Sequence, residues 1–137
     1  MSNTTHNGLL TTTAIVSAAY AVAMLVAPGT TLGVFDLSDN PSTVWMARLL
    51  GASSLGFAAI AFLARRIDDM DARRAVDGGF LVATTATVGI TMWAQYLQVT
   101  NALGWINVAV FGALAVAFFY FIAGEDRFGE ALHGRPA

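Results

Sequence analysis

Four long apolar stretches separated by short polar segments organise the sequence: residues 9–27, 44–64, 77–97 and 103–123. Each is 19 to 21 residues long, which as a helix rising ~1.5 Å per residue spans roughly 30 Å, the hydrocarbon thickness of a bilayer. The runs do not alternate between polar and apolar positions, and four strands cannot close a membrane barrel, so strands are excluded. The pattern predicts an all-α chain: one domain over residues 1–137, an integral membrane four-helix bundle. Residues 124–137 are expected to form a tail that is frayed or lies on the membrane surface.

Local signals set the boundaries. Pro28 and Gly29 stop the first helix, and after Pro41 either Ser42 or Thr43 can cap the second. The leader MSNTTHNG has no basic residue, and the apolar run after it exceeds the ~7–15 residues of a cleaved signal core. The first stretch therefore reads as a retained span.

Composition sharpens the membrane reading. Charged residues make up 12% of the chain, against roughly 25% in a soluble domain, so a soluble surface of this size would stay largely apolar. All seven basic residues are arginines, which excludes a lysine Schiff base and a phosphate-loop lysine. The absence of cysteine excludes thiolate nucleophiles, disulfides, iron–sulfur clusters and thiolate zinc sites. His6 and His133 fall in polar tails, outside any apolar run where they could ligate a haem. The net charge of −2 gives no footprint for nucleic acid. No catalytic residue, cofactor or metal site is expected on these grounds.

Charge placement gives an orientation. Arg65, Arg66, Arg73 and Arg74 lie between the second and third spans, and Arg127 and Arg135 follow the fourth. Segments 28–43 and 98–102 contain none. The positive-inside rule puts the arginine face, and with it both termini, on the cytoplasmic side of a bacterial cytoplasmic membrane. Trp45, Trp93, Tyr96 and Trp105 fall near the opposite ends of their helices, as in one half of an aromatic belt. Segment 65–74 also holds Asp68, Asp69 and Asp71. It reads as a solvated turn whose charges neutralise one another rather than as a lipid-recognising cluster of ~4–8 basic residues.

Polar and small residues inside the spans form stripes. Asp77, Thr84, Thr91 and Gln98 recur at sevens on the third, with Gln95 one turn back, and Thr13, Ser17, Tyr20 and Met24 share a face of the first. The second carries Arg48, Gly51, Ala52, Leu55, Gly56 and Ala59; the fourth carries Asn107, Ala109, Ala113 and Ala117. These stripes are expected to face one another and pack, with the larger side chains turned to lipid. Asp77 is explained by the dipole at a helix N-terminus, and a proton relay would need a second ionisable group at mid-membrane, which the spans do not supply.

Arg48 has two readings. Lying four residues past Val44, and so ~6 Å into the span, it can snorkel to the interface near Asp36 and Asp39. Turned inward, it would join Gln95, Gln98, Asn101 and Asn107 in a pocket bounded by Trp45, Trp93 and Trp105. Such a fork of donors beside amides suits a carboxylate, a phosphate or a quinone-like carbonyl.

Certain segments carry a resemblance. Residues 27–29 read Ala-Pro-Gly, 32–37 Leu-Gly-Val-Phe-Asp-Leu, 47–52 Ala-Arg-Leu-Leu-Gly-Ala and 64–66 Ala-Arg-Arg. Over residues 9–123 the chain resembles small four-span bacterial membrane proteins of unknown function, with a proline-terminated first helix and an Arg-Leu-Leu-Gly second helix. The resemblance implies a compact four-helix protein marked by Arg48 and Gly51, and brings no chemistry with it. The function expected is that of a non-enzymatic accessory or assembly subunit, or a lipophilic-ligand or lipid-binding module. Its partners would be membrane lipid and either further copies or a larger membrane complex. The alternatives are a membrane-embedded isomerase or cyclase using Asp77, Arg48 or Tyr20, and an oligomeric channel or transporter lined by Thr84, Thr91 and Gln95.

Overall fold

The computed structural model describes the backbone of residues 3–133 and the side chains of residues 4–124. Among these residues there are five helices and no strand: α1 (Asn3–Val26), α2 (Pro28–Val34), α3 (Pro41–Ala64), α4 (Met70–Tyr96) and α5 (Gly104–His133). Four of them, all but α2, are long and apolar enough to cross a membrane. The chain thus has the make-up of a multi-pass helical membrane protein.

The helices outrun the apolar stretches. α1 begins at Asn3 rather than residue 9, α4 at Met70 rather than 77, and α5 continues past residue 123 to His133. Hydropathy marks only the part of a helix that lies in hydrocarbon, whereas a helix propagates until a cap or a breaker ends it. The tail expected to fray from residue 124 is helical in its backbone as far as His133, and residues 134–137 lie outside the described residues.

The cap of α3 falls two residues earlier than the first candidate in the sequence. Asn40, not Ser42 or Thr43, caps α3: its side chain accepts from Thr43 N at 3.0 Å, with Pro41 in the first turn. Asp69 caps α4, accepting from Ala72 N at 2.8 Å, and Asp71 occupies the first turn. Pro28 both ends α1 and opens α2, a helix the sequence reading left as loop. The Thr31 hydroxyl donates to Ala23 O at 3.0 Å and Ala27 O at 2.9 Å, a second donor to each carbonyl beside the N–H groups of Ala27 and Thr31.

α2 and α4 end alike. The residue past each helix, Asp36 at φ 62° and Gln98 at φ 53°, is left-handed. Asp36 N bonds to Gly33 O and Leu37 N to Leu32 O; Gln98 N bonds to Gln95 O and Val99 N to Ala94 O. These are paired Schellman closures, which usually place glycine at the left-handed position.

α1 packs chiefly against α3 and α4 chiefly against α5, giving two hairpins, with α2 folded onto α1 and α3. Gly51 makes the first pairing possible: a Cβ there would lie 2.9 Å from Leu25 Cγ and 3.0 Å from Met24 Cβ on α1. The hairpins meet in a core of Leu10, Ala14, Ala61, Ala64, Phe80 and Phe118, drawn from all four long helices. Within it Phe80 stacks on Phe118 at 5.3 Å and Phe57 leans on Phe80. A smaller cluster of Met24, Leu32 and Ala47 lies where α1, α2 and α3 meet. α1 and α4 run in one direction and α3 and α5 in the other. The turn after α3 and the start of α1 therefore share one end, and segments 35–40 and 97–103 share the other.

Candidate functional site

Polar groups inside a bundle of membrane-length helices find few partners, because the backbone is already committed to i→i−4 bonds. The threonines solve this locally. Thr13 donates to Leu9 O at 3.0 Å, Thr84 to Phe80 O at 2.7 Å, Thr87 to Ala83 O at 2.8 Å, and Thr91 to Thr87 O. Their hydroxyls are thus turned onto their own helices.

Asp77 cannot do the same, since a carboxylate accepts and the helical N–H groups around it are taken. It lies well inside α4, past the first turn, so stabilising the helix N-terminus falls to Asp69 and Asp71 instead. Its partner is His6, whose Nε2 lies 2.8 Å from Asp77 Oδ2. Only 2% of His6 and 1% of Asp77 is exposed. The Phe121 ring meets the imidazole edge-on at 5.3 Å, and Leu10 and Phe118 are fully buried beside the stack. His6 Nδ1 and Asp77 Oδ1 are buried and meet no hydrogen-bond partner among the described residues.

This pair is a buried ionisable contact inside the bundle, and sequence reading missed it. Along the sequence His6 falls in a polar tail, and Asp77 reads as a helix-terminal acid without a titratable neighbour. The available signal was register: His6 stands seven residues before Thr13, as Asp77 stands seven before Thr84, so each heads a stripe already recognised. Depth is set by Thr11, which accepts from Arg65 Nη1 at 3.2 Å. His6 lies five residues, ~7.5 Å, nearer the helix start. The pair therefore sits at the arginine-bearing end and not at mid-span. Chemically it can hold one proton between Nε2 and Oδ2 and fix the ring orientation.

At the opposite end the residues expected to line a pocket are distributed otherwise. Arg48 is exposed and has no hydrogen bond or ion pair among the described residues. Trp45, Trp93 and Trp105 are 60%, 65% and 53% exposed and point away from the bundle, within a turn of the helix ends. Gln98 is exposed and serves as the left-handed closing residue of α4. Gln95 Nε2 donates to Thr100 Oγ1 at 2.7 Å and Asn101 O at 3.1 Å, and a Cβ on Gly104 would overlap its amide. Asn101 Nδ2 donates to Val34 O at 2.7 Å and its N–H to Phe35 O at 3.2 Å, so the α4–α5 turn is clasped onto the end of α2. Asn107 Oδ1 accepts from the Tyr20 hydroxyl, joining α5 to α1.

The structure thus brings together Gln95 with Asn101, and Asn107 with Tyr20. It does not bring Arg48, Gln98 or the tryptophans into their company. The small residues of α3 also divide. Ala47, Gly51, Ala58, Ala61 and Ala64 are buried, while Arg48, Ala52, Gly56 and Ala59 form an exposed seam on another face. The expectation that the whole stripe would face inward is corrected to this extent. No known protein family, curated protein or solved structure matches the chain.

Proposed function

We propose that this chain is a non-enzymatic multi-pass protein of a bacterial cytoplasmic membrane, working as an accessory or assembly subunit. The arginine-bearing end, with the start of α1 and the C-terminal end of α5, faces the cytoplasm. The lysine-free, alanine-rich composition supports the bacterial assignment.

One observation carries the subunit reading: the exposed seam of Arg48, Ala52, Gly56 and Ala59 on α3. A Cβ at Gly56 would have nothing within 4 Å. Small residues gain little from lipid but let another helix approach closely. Arg48 at the end of the seam offers an unpaired cation to that helix.

The absence of native cysteine makes the test clean. Gly56→Cys in native membranes is expected to form a cross-linked adduct of higher mass, while Val116→Cys, on an exposed face of α5, is not. Equal adduct yields at the two positions would reject the seam as a docking face.

A second reading, a membrane-embedded isomerase or cyclase on a lipophilic substrate, is favoured only by the His6–Asp77 pair, a proton-holding unit of the kind acid–base catalysis uses. Arg48 and Tyr20 stand away from that pair and give it no support. Turnover of any candidate substrate that survives both His6→Gln and Asp77→Asn would dispose of this reading.

A further inference from the structure

Where α1 and α3 lie side by side, their outer surface dips into a groove of about 320 Å³. Ala14, Ile15 and Ala18 of α1 and Ala58 and Phe62 of α3 form its walls, which are almost wholly apolar. The dip exists because the alanines fall short of the larger side chains around them.

One end of the groove is closed by Arg65. Its Nε donates to Phe62 O at 3.0 Å, its Nη1 to Thr11 Oγ1 at 3.2 Å, and its guanidinium lies 4.0 Å over the Phe62 ring. The fork is thereby fixed across both helices, with Nη2 carrying no hydrogen bond among the described residues. Arg66 follows and is exposed. Neither arginine forms an ion pair among the described residues, and the nearby Asp69 is committed to capping α4. Local neutralisation, expected from the sequence, does not reach these two.

A fixed cation at the end of an apolar slot on two membrane-length helices matches the two halves of a phospholipid. From Thr11, level with Arg65, to Ala18 is seven residues, or ~10 Å along the axis. That covers about two-thirds of one leaflet's ~15 Å of hydrocarbon. We infer that the α1–α3 groove binds one anionic phospholipid, with an acyl chain along Ala14, Ala18 and Ala58 and the headgroup phosphate on Arg65 and Arg66. A zwitterionic headgroup brings its own ammonium and gains less from the arginine pair. The assignment rests on α1 and α3 spanning the membrane, which liposome flotation checks separately, and it does not involve the exposed seam of α3.

Native mass spectrometry of the full chain in mixed dioleoyl-phosphatidylglycerol and dioleoyl-phosphatidylcholine tests the inference. The wild-type chain is expected to retain one phosphatidylglycerol in preference to phosphatidylcholine. Arg65→Gln and Arg66→Gln should each reduce that preference about fivefold, as ~1 kcal/mol per basic residue implies. Ala18→Phe fills the slot and should reduce retention of both lipids; Ile15→Trp, on the exposed rim, replaces it if that variant does not fold. Inorganic phosphate should not compete. Equal retention of the two lipids, a preference that survives the double arginine variant, undiminished binding in the filled-slot variant, or displacement by inorganic phosphate would each overturn it.

Discussion

The two ends of the bundle handle polar groups in opposite ways. At the arginine end, His6 and Asp77 bond to each other side chain to side chain, with the Phe121 ring edge-on to the imidazole. At the other end Gln95 and Asn101 bond largely to backbone carbonyls of unwound chain, and the tryptophans stand outside. The difference follows from what the backbone offers. Inside a continuous helix every N–H is already committed, so a carboxylate must find another side chain. Where α2 and α4 terminate, orphan carbonyls wait for a donor, and an amide supplies it. The first arrangement is an all-or-none commitment, whereas the second is a set of replaceable ties.

Substitutions should expose that contrast. Asp77→Ala or His6→Ala breaks the buried pair and strands one polar partner, a loss of about 3–5 kcal/mol if the survivor stays charged. Replacing both with leucine should recover most of it, because no uncompensated group remains. Unfolding in mixed micelles measures both, and additive losses in the double variant would show that the two residues do not act as a unit.

Next in size is Gly51→Leu, which drives a side chain into Leu25 and Met24 and should cost about 1–3 kcal/mol or more. The same change at Gly56 meets open space in the isolated chain and should leave its unfolding midpoint unmoved. Asn101→Ala, which releases the carbonyl of Val34, should cost about 1 kcal/mol and speed hydrogen exchange in 97–103 without loosening the arginine end. Gln98→Gly is the smallest expected effect and has the opposite sign. Relief of the left-handed backbone at φ 53° should stabilise by up to about 1 kcal/mol, and any loss of stability would assign the Gln98 side chain a contact of its own.

The sequence made the four spans and most of their ends legible, because hydropathy over 20 residues is set by the bilayer itself. It did not disclose α2, since Pro28 reads as a stop and serves equally as a first-turn residue. His6 was hidden by its neighbours: Asn3, Thr4, Thr5 and Asn7 are polar along the chain, yet helical winding turns position 6 into the core. On α3 the stripe could not be apportioned from spacing. Gly51 and Gly56 are equivalent by composition, and only the approach of Leu25 shows which one a neighbouring helix requires. Spacing along the chain does not fix the direction in which a side chain turns. Asn107 and Gln95 turn in, while Arg48 and the tryptophans turn out.

The pairing of α1 with α3 and of α4 with α5 also bears on how the chain is made. Each pair is a helical hairpin, α1 and α3 joined through α2 and α4 and α5 by the turn 97–103. A hairpin is a unit that a membrane can accept whole, ahead of the rest of the polypeptide. The contacts between the two units are fewer: Phe57 against Phe80 beside the shared core, His6 with Asp77, Tyr20 with Asn107, and the Asn101 clasp. Each needs a residue of the second hairpin, the first in the chain being Asp77 of α4. The ties that join the two hairpins are therefore largely polar, and the His6 ring has no acid beside it until α4 is in place.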